Sequence, residues 1–439
     1  MKSLSVLILS VLVLGCYSPP PPRGREAVPP PPRDAVDSPD ERARLLRQPT
    51  LSEEEFVRLV ELGNPEIQAA LCDVDAAAGR RRQAGLLPNP VLLANIEEAP
   101  ASSDRLGEGK FTAGVGYPFP IGGRIGAAGH AAEKERQAWE ASARMTRRET
   151  LTEARQALYA CFYARQLAGL EEEVRALTAE FAETVRKRRA ERTVLELEEM
   201  KTTVELAARE DAVRTAQKEV VSADLRVRGL VGDAGFESTR VAVHPLENYA
   251  LRPLAEYESL ATANHPSLAA ADRLVEAAEA QIDLAKRSAV PDVTIVALYG
   301  ESPVDAEEPG EDLVELGIEV PLPIFDRNQG RTAEAEALRR KAALQRHAAE
   351  VTLLNRVREA YRDVELRLAR VQAYRDTVLP NAQKAVEQSM SLYKEGKVLN
   401  LEVLDAQRVL AGARRQFLEA QRDAASGVVE LESLIGEGR

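Results

Sequence analysis

Residues 313–331 read LVELGIEVPLPIFDRNQGR, and few folds accommodate such a run. Val314, Leu316, Ile318 and Val320 alternate with Glu315, Gly317 and Glu319, the period of a strand with one apolar and one polar face. Pro321 and Pro323 offer no N–H to a ladder, so the strand should stop there. Beyond Gly330 the residues AEAEALRRKAALQR favour helix. A strand thus passes through a proline turn straight into a helix. The same passage occurs in KFTAGVGYPFPIGGR at 110–124, where Phe111, Ala113, Val115, Tyr117 and Phe119 alternate with small or polar residues. Pro118-Phe119-Pro120-Ile121 matches Pro321-Leu322-Pro323-Ile324 at a displacement of 203 residues. Pro88 and Pro291 keep that displacement, as do Arg155-Gln156-Ala157-Leu158 and Arg358-Glu359-Ala360-Tyr361. Asn64-Pro65 matches His265-Pro266 at 201. One unit is written twice.

Of the 439 residues only 4% are aromatic, and Ala, Glu and Arg abound, which favours long helices over a compact core. The net charge of −12 argues against nucleic acid as a partner. Residues 1–15 read as a signal peptide: Lys2, then an apolar run Leu4–Leu14 too short to span a bilayer. Val13-Leu14-Gly15-Cys16 resembles the lipobox of bacterial lipoproteins, which would make Cys16 the acylated first residue. A plain signal peptide with a chance cysteine is the alternative. In the lipoprotein pattern, the absence of an acidic residue after Cys16 points to the outer membrane. Within a lipidated Pro-rich spacer assigned to 16–50, Pro19–Asp40 holds two four-proline runs and reads as an extended polyproline-type stretch. No later run has enough consecutive apolar residues for a transmembrane helix. Cys72 and Cys161 are expected far apart on their helices, as free, buried thiols.

The first repeat is assigned to 51–232, a linker to 233–253, and the second repeat to 254–436. Ser52-Glu53-Glu54-Glu55 is a capping box that starts a short helix. Asn64-Pro65 restarts it as Pro65–Leu87. Strands at Val91–Glu97 and Lys110–Phe119 form a hairpin. No proline interrupts 121–243, so Arg124–Arg188 reads as one helix of about 97 Å. A second helix begins near Val194, where Leu206, Val213, Val220 and Val227 recur every seven residues as a coiled-coil seam. The second repeat follows suit: helices Leu254–Ala263 and Pro266–Arg287, a strand Val293–Tyr299, an acidic loop and the opening stretch. In its long helix Val357, Val364, Val371 and Val378 form one heptad position and Leu354, Tyr361 and Leu368 the other; Pro380 should kink it. The return helix carries Val403, Leu410, Phe417, Ala424 and Leu431, beside the small residues Ala406, Ala413 and Ala420.

Each strand is of roughly the length a tilted membrane strand needs, about 9–11 residues. Four strands cannot close a membrane barrel, and an open edge in lipid is forbidden. Several chains must therefore share one barrel. Two would give eight strands and a filled interior; three would give twelve and leave a channel. The expected fold class is mainly α with a small β part: four transmembrane strands and long coiled-coil helices per chain. A trimer would form a 12-stranded β-barrel continuous with a periplasmic α-barrel.

The two proline junctions, with Tyr393-Lys394-Glu395-Gly396 through Val403-Leu404-Asp405-Ala406, resemble an outer-membrane efflux channel of the TolC family. Residues Pro321-Leu322-Pro323-Ile324-Phe325-Asp326-Arg327-Asn328-Gln329-Gly330 are similar to the CzcC-like, cation-exporting branch. The resemblance spans nearly all of 51–436. It implies a passive homotrimeric exit duct set in outer-membrane lipid, without enzymatic chemistry or cofactor. A periplasmic adaptor (membrane fusion) protein and an inner-membrane RND-type pump would open it, here for heavy-metal cations. A multidrug duct of the same family, and a lipid-anchored periplasmic coiled-coil scaffold without a pore, remain as alternatives.

The resemblance also assigns site residues. Glu402 and Asp405 share a helix face; with Glu198, their counterpart in the first repeat, and Tyr393 they would form the periplasmic gate. A solvated helix face is the alternative for the acids, coiled-coil packing for the tyrosine. Thr193, Val194, Leu195, Gly396, Val398, Leu399 and Leu401 would receive the adaptor, or else pack internally at the helical turn. Pro118, Pro120, Pro321 and Pro323 mark the strand-to-helix junctions. Val398 stands where the family's gate arginine is expected and Arg192 replaces a glycine, so the family's closing salt bridges do not carry over. His130, His244, His265 and His347 have no metal-ligand spacing. Met145, Met200 and Met390 are expected to serve packing.

Overall fold

The computed structural model describes residues 39–97, 110–192, 195–244, 249–302, 311–395, 397–398 and 400–436. The signal segment, Cys16, most of the proline-rich spacer, Thr193, Val194, Gly396 and Leu399 lie outside the described residues. The elements are α1 Pro39–Arg47, α2 Glu53–Gly63, α3 Pro65–Ala84, β1 Val91–Glu97, β2 Lys110–Phe119, α4 Arg124–Ala190 and α5 Glu196–Val231. The second repeat gives α6 Leu254–Asn264, α7 Pro266–Arg287, β3 Val293–Ser302, β4 Glu311–Glu319, α8 Gln329–Ala373, α9 Leu379–Lys394 and α10 Asn400–Ile435.

The two short helices of each repeat are cut by matching caps. Ser52 caps α2 with a complete capping box: its side chain accepts from the Glu55 N–H, and the Glu55 carboxylate accepts from the Ser52 N–H. Asn64 Oδ1 accepts from the N–H groups of Glu66 and Ile67, with Pro65 pre-set at the first helical position. The same Asn64 donates through Nδ2 to the Leu230 carbonyl at 2.9 Å, tying this start to the end of α5. In the second repeat His265 takes the role, its Nδ1 accepting from the Ser267 N–H at 3.2 Å. That acceptor role needs a neutral ring. Burial first, then the charges of Arg148 and Arg356, lower the His265 pKa to about 4 and keep it neutral.

Each repeat has its own apolar core, where its short helices meet the middle of its outgoing long helix and the C-terminal end of its return helix. Phe56, Leu59 and Val60 of α2 pack with Ala154, Leu158 and Cys161 of α4 and Val227 and Val231 of α5. Tyr257, Ala261 and Leu268 pack with Leu353, Val357 and Val364 of α8 and Val428, Leu431 and Ile435 of α10. Burying each large side chain contributes about 1.5–3 kcal/mol, so Phe56→Ala, fully enclosed here, should cost about 3–5 kcal/mol. The buried column of α8 is Leu353, Val357, Ala360 and Val364, with Leu354, Tyr361 and Leu368 half-buried beside it. In α5 the expected seam is buried at Val213 and Val227 and half-buried at Leu206 and Val220.

Four expectations need correction. The extended stretch expected to reach Asp40 gives way at Pro39, where α1 begins and runs to Arg47; Leu45 is buried, and Leu51 bridges Val241 of the linker. Cys161 is buried and free, but Cys72 is exposed, because α3 buries only Ile67, Val74 and Ala77. Met200 is 61% exposed and so is not a packing residue within the chain. The proline at 380 acts one turn upstream, where Tyr374–Val378 forms a π segment. Pro380 lacks the N–H that would pair with the Asp376 carbonyl, and its ring crowds that carbonyl; a wider turn absorbs both.

Candidate functional site: an apolar sheet face and a helical turn end

The strands form one antiparallel sheet in the order β1-β2-β3-β4, so both hairpins join edge to edge through β2 and β3. The register collects the alternating apolar residues on one face. Leu92 faces Val115, Val115 faces Ala297, and Ala297 faces Leu316; likewise Ala113 faces Tyr299, which faces Val314. Ile295 and Ile318 continue the face beside Tyr117. The opposite face is mixed: Asn95, Thr112, Gly114, Thr294, Glu315, Gly317 and Glu319 share it with Leu93, Val296 and the buried Leu298. Leu92, Leu316 and Ile318 are 72%, 77% and 74% exposed, so nothing among the described residues covers the apolar face. β1 and β4 leave both edges open. Such a surface is a site for lipid or for further chains, not for water.

The strand-to-helix passages lie where the prolines put them, with one difference. β4 ends at Glu319, before Pro321 and Pro323, but Pro118 lies inside β2, opposite Thr294. β1 stops at Val91 opposite Gly116, so at Pro118 the strand has a neighbour on one side only. Pro120 is the actual exit. Gly123 and Asn328, immediately before α4 and α8, both adopt the left-handed backbone, at φ 73° and 61°. Arg124 then forks onto Asp292 at the start of β3, joining the two repeats where sheet becomes helix. Asn328 is buried and donates to the Ala285 carbonyl. Beside it Phe325 is 90% exposed.

At the other end of the long helices, α4 and α9 turn into α5 and α10. Arg192 sits at the first turn with φ 56°, so a β-carbon occupies a conformation that favours glycine. Arg189 reaches Glu196 across this turn at 3.5 Å, and Lys397 reaches Glu395 at 2.6 Å in the other. Leu195 and Leu401 are exposed, while Val398 is half-buried. Tyr393 does not simply pack. Arg188 of α4 donates to its hydroxyl at 2.6 Å, and that guanidinium lies 4.9 Å from the ring centroid. Phe181 meets the ring edge-on at 6.3 Å, over a cluster with Val185 and Leu404.

Glu402 and Asp405 are exposed on α10, and Glu198 is half-buried on α5. Among the described residues none of the three makes an ion pair. Asp405 is near enough to Arg408 to help raise its pKa, after the larger effect of the Glu205 hydrogen bond. Sequence reasoning missed the strongest tie here. Glu205 of α5, nearly buried, accepts from Arg209 on its own helix at 2.6 Å and from Arg408 Nε on α10 at 3.0 Å. One turn pair further along, Arg415 of α10 reaches the buried Glu171 of α4 at 2.9 Å. The only sequence signal was an acid on each seam, which no local pattern distinguishes from a solvated charge. Among the described residues no helix is long and apolar enough to cross a membrane, and no His, Cys, Asp and Glu cluster could hold a metal ion.

Comparison with known proteins supplies the context. The model of the family described as outer membrane efflux protein matches residues 57–233 and again 258–437. The cobalt-zinc-cadmium resistance protein CzcC of Cupriavidus metallidurans is 26% identical over 386 residues, covering 88% of this chain and 90% of its own. The outer membrane protein VceC of Vibrio cholerae superposes with a TM-score of 0.69 at 21% identity, over 88% of this chain and 96% of its own. CusC, whose structures concern transmembrane channel formation, gives 0.71 at 18% identity, over 88% and 92%. These last two likenesses speak for the fold.

Proposed function

Because the chain belongs to the outer membrane efflux protein family, matched once by each repeat, we propose that it is the exit duct of a tripartite efflux system. The family is one of channels, not enzymes. Three chains close a 12-stranded barrel in the outer membrane, and their helices continue it as a periplasmic tube. The observation that carries this reading is the continuous apolar face of a four-stranded sheet with two open edges. Lipid accepts the face, but only neighbouring strands can satisfy the edges. A coiled-coil scaffold without a pore would leave both unexplained.

The duct ends at the helical turns. In this reading Tyr393, Glu402, Asp405 and Glu198 form the gate. Thr193, Val194, Leu195, Gly396, Val398, Leu399 and Leu401 dock a periplasmic adaptor, which connects to an inner-membrane RND-type pump. Repeat bounds of 51–232 and 254–436 follow from the same reading, as does an acyl anchor on Cys16. The similarity to CzcC favours heavy-metal cations as cargo, passing in bulk rather than held by a built site. The test has two parts. Native mass spectrometry of detergent-purified protein should give a trimer that conducts in planar bilayers; a stable monomer with no conductance refutes the duct. Deleting the gene should sensitise cells to cobalt, zinc or cadmium; sensitivity to organic drugs alone moves the cargo to the multidrug class.

A further inference from the structure

The charge on this chain is unevenly spread. About a third of the way along α4 from the sheet, a cavity of about 330 Å³ opens where the two repeats meet. α2, α4, the start of α7 and the end of α10 line it. Five arginines, 58, 144, 147, 148 and 155, face two carboxylates, Glu54 and Glu61. The lining thus carries three surplus positive charges on a chain whose net charge is −12.

Local pairing cancels this surplus only in part: Arg155 reaches Glu53, just outside the lining, at 3.7 Å. Arg147 and Arg58 share a single acid, Glu61, at 2.6 and 3.0 Å. Arg148 is half-buried and donates to the carbonyl oxygens of Ser433 at 2.6 Å and Glu432 at 3.4 Å. Those bonds hold its side chain at the negative C-terminal end of α10, which offsets part of its charge, with Arg147 beside it. The Arg148 pKa is accordingly lowered, first by burial and then by Arg147, as expected of a cation crowded by another. Arg144 lies in the same lining with no ion pair among the described residues. Crowded cations around a concavity focus a positive potential, and an anion seated there relieves their repulsion.

We infer that this cleft binds a small multivalent oxyanion of the pyrophosphate or citrate class, with Arg144, Arg147 and Arg148 as its ligands. The volume equals about ten water molecules at ~30 Å³ each, enough for such an anion. Guanidinium forks suit its paired oxygens. The site lies roughly 30 Å along α4 from the strand junction and about 60 Å from the turn, at ~1.5 Å per residue. It is therefore independent of the gate and of the duct reading.

Isothermal titration of pyrophosphate into the detergent-purified full chain, in chloride buffer at fixed ionic strength, tests the proposal. Saturable binding is expected. Arg144→Gln should weaken it about tenfold, a loss of about 1.4 kcal/mol, and Arg144→Lys should restore most of it. Arg214→Gln, on an exposed stretch of α5, should bind as the unaltered chain does. Because Arg144 is exposed and makes no ion pair among the described residues, its replacement leaves the fold intact. An absence of saturable heat, or equal affinity in Arg144→Gln, overturns the assignment.

Discussion

Replacing Glu205 by Gln should loosen the tie between α5 and α10 near the helical turns. The carboxylate is 7% exposed and holds Arg209 and Arg408 together. Burial alone would raise its pKa, but the hydrogen bonds from Arg408 and Arg209 outweigh it and hold the acid below the usual carboxylate range. A folded pKa below the unfolded one stabilises fully above the unfolded value, about 4.3 for Glu. That stabilisation is lost as pH falls through the folded value. Removing one partner of a fully buried pair costs about 3–5 kcal/mol. Here Arg408 is 47% exposed at its side chain and can turn into water, which pulls the cost toward the ~0–1 kcal/mol of a surface pair. Gln also keeps one acceptor oxygen. The expected loss is about 1–2 kcal/mol. A double-mutant cycle of Glu205→Gln and Arg408→Gln, read by denaturant unfolding in mild detergent, isolates the pair. It should give a coupling of about 1 kcal/mol near pH 7 that shrinks below about pH 4. A coupling within about 0.3 kcal/mol of zero at both pH values would refute the reasoning, and the tie would be a contact without energy.

Further outcomes are open to direct measurement. Ile318→Lys on the apolar sheet face should cost about 2–4 kcal/mol per chain if that face meets mid-bilayer lipid; unchanged trimer dissociation in detergent would place it elsewhere. Arg192→Gly should raise the unfolding midpoint, relieving about 1–2 kcal/mol of left-handed strain, whereas a lowered midpoint would mean the arginine side chain earns its place by contact. Glu402→Gln with Asp405→Asn should weaken block by multivalent cations at the turn side in single-channel recordings, the more so at low salt where screening is weak; unchanged block returns both acids to a solvated face. Intact-mass analysis should find diacyl-type mass added at Cys16, and Cys16→Ala with a working signal should still assemble.

What the sequence made legible was the geometry set by period and by proline. β1 and β2 begin and end where alternation does, at Val91–Glu97 and Lys110–Phe119, because one apolar face leaves a single workable register. The capping box at Ser52 and the Asn64-Pro65 restart are equally local, three residues of chemistry each. Pro118 is tolerated inside the expected strand Lys110–Phe119 because β1 has already stopped beside it, leaving that position a neighbour on one side only. Cys72 misled because α3 is covered on one narrow side only, which no count of apolar residues reveals. The helix at Pro39–Arg47 was hidden by the prolines before it; Leu45 finds its partners in α2 and the linker, about two hundred residues away in sequence for the latter. The site ties escaped for the same reason. Arg188 meets Tyr393, and Glu205 meets Arg408, across the duplication. A pair of that separation leaves no local mark on either residue.

The two open edges of the sheet have a consequence for cells that carry two versions of this chain. In the three-chain duct proposed above, β1 and β4 each pair with a strand of another molecule, so every chain is both template and client in a closed ring. A chain whose β4 edge is spoiled, for instance by proline at Leu316, still offers a sound β1 edge and will be accepted by a normal neighbour. In an equal mixture only roughly one three-chain ring in eight would then be free of the damaged partner. Damage at an edge should therefore be genetically dominant, while damage that prevents folding of the chain should be recessive. Co-expression of the two classes of variant with the unaltered gene would separate them by growth alone.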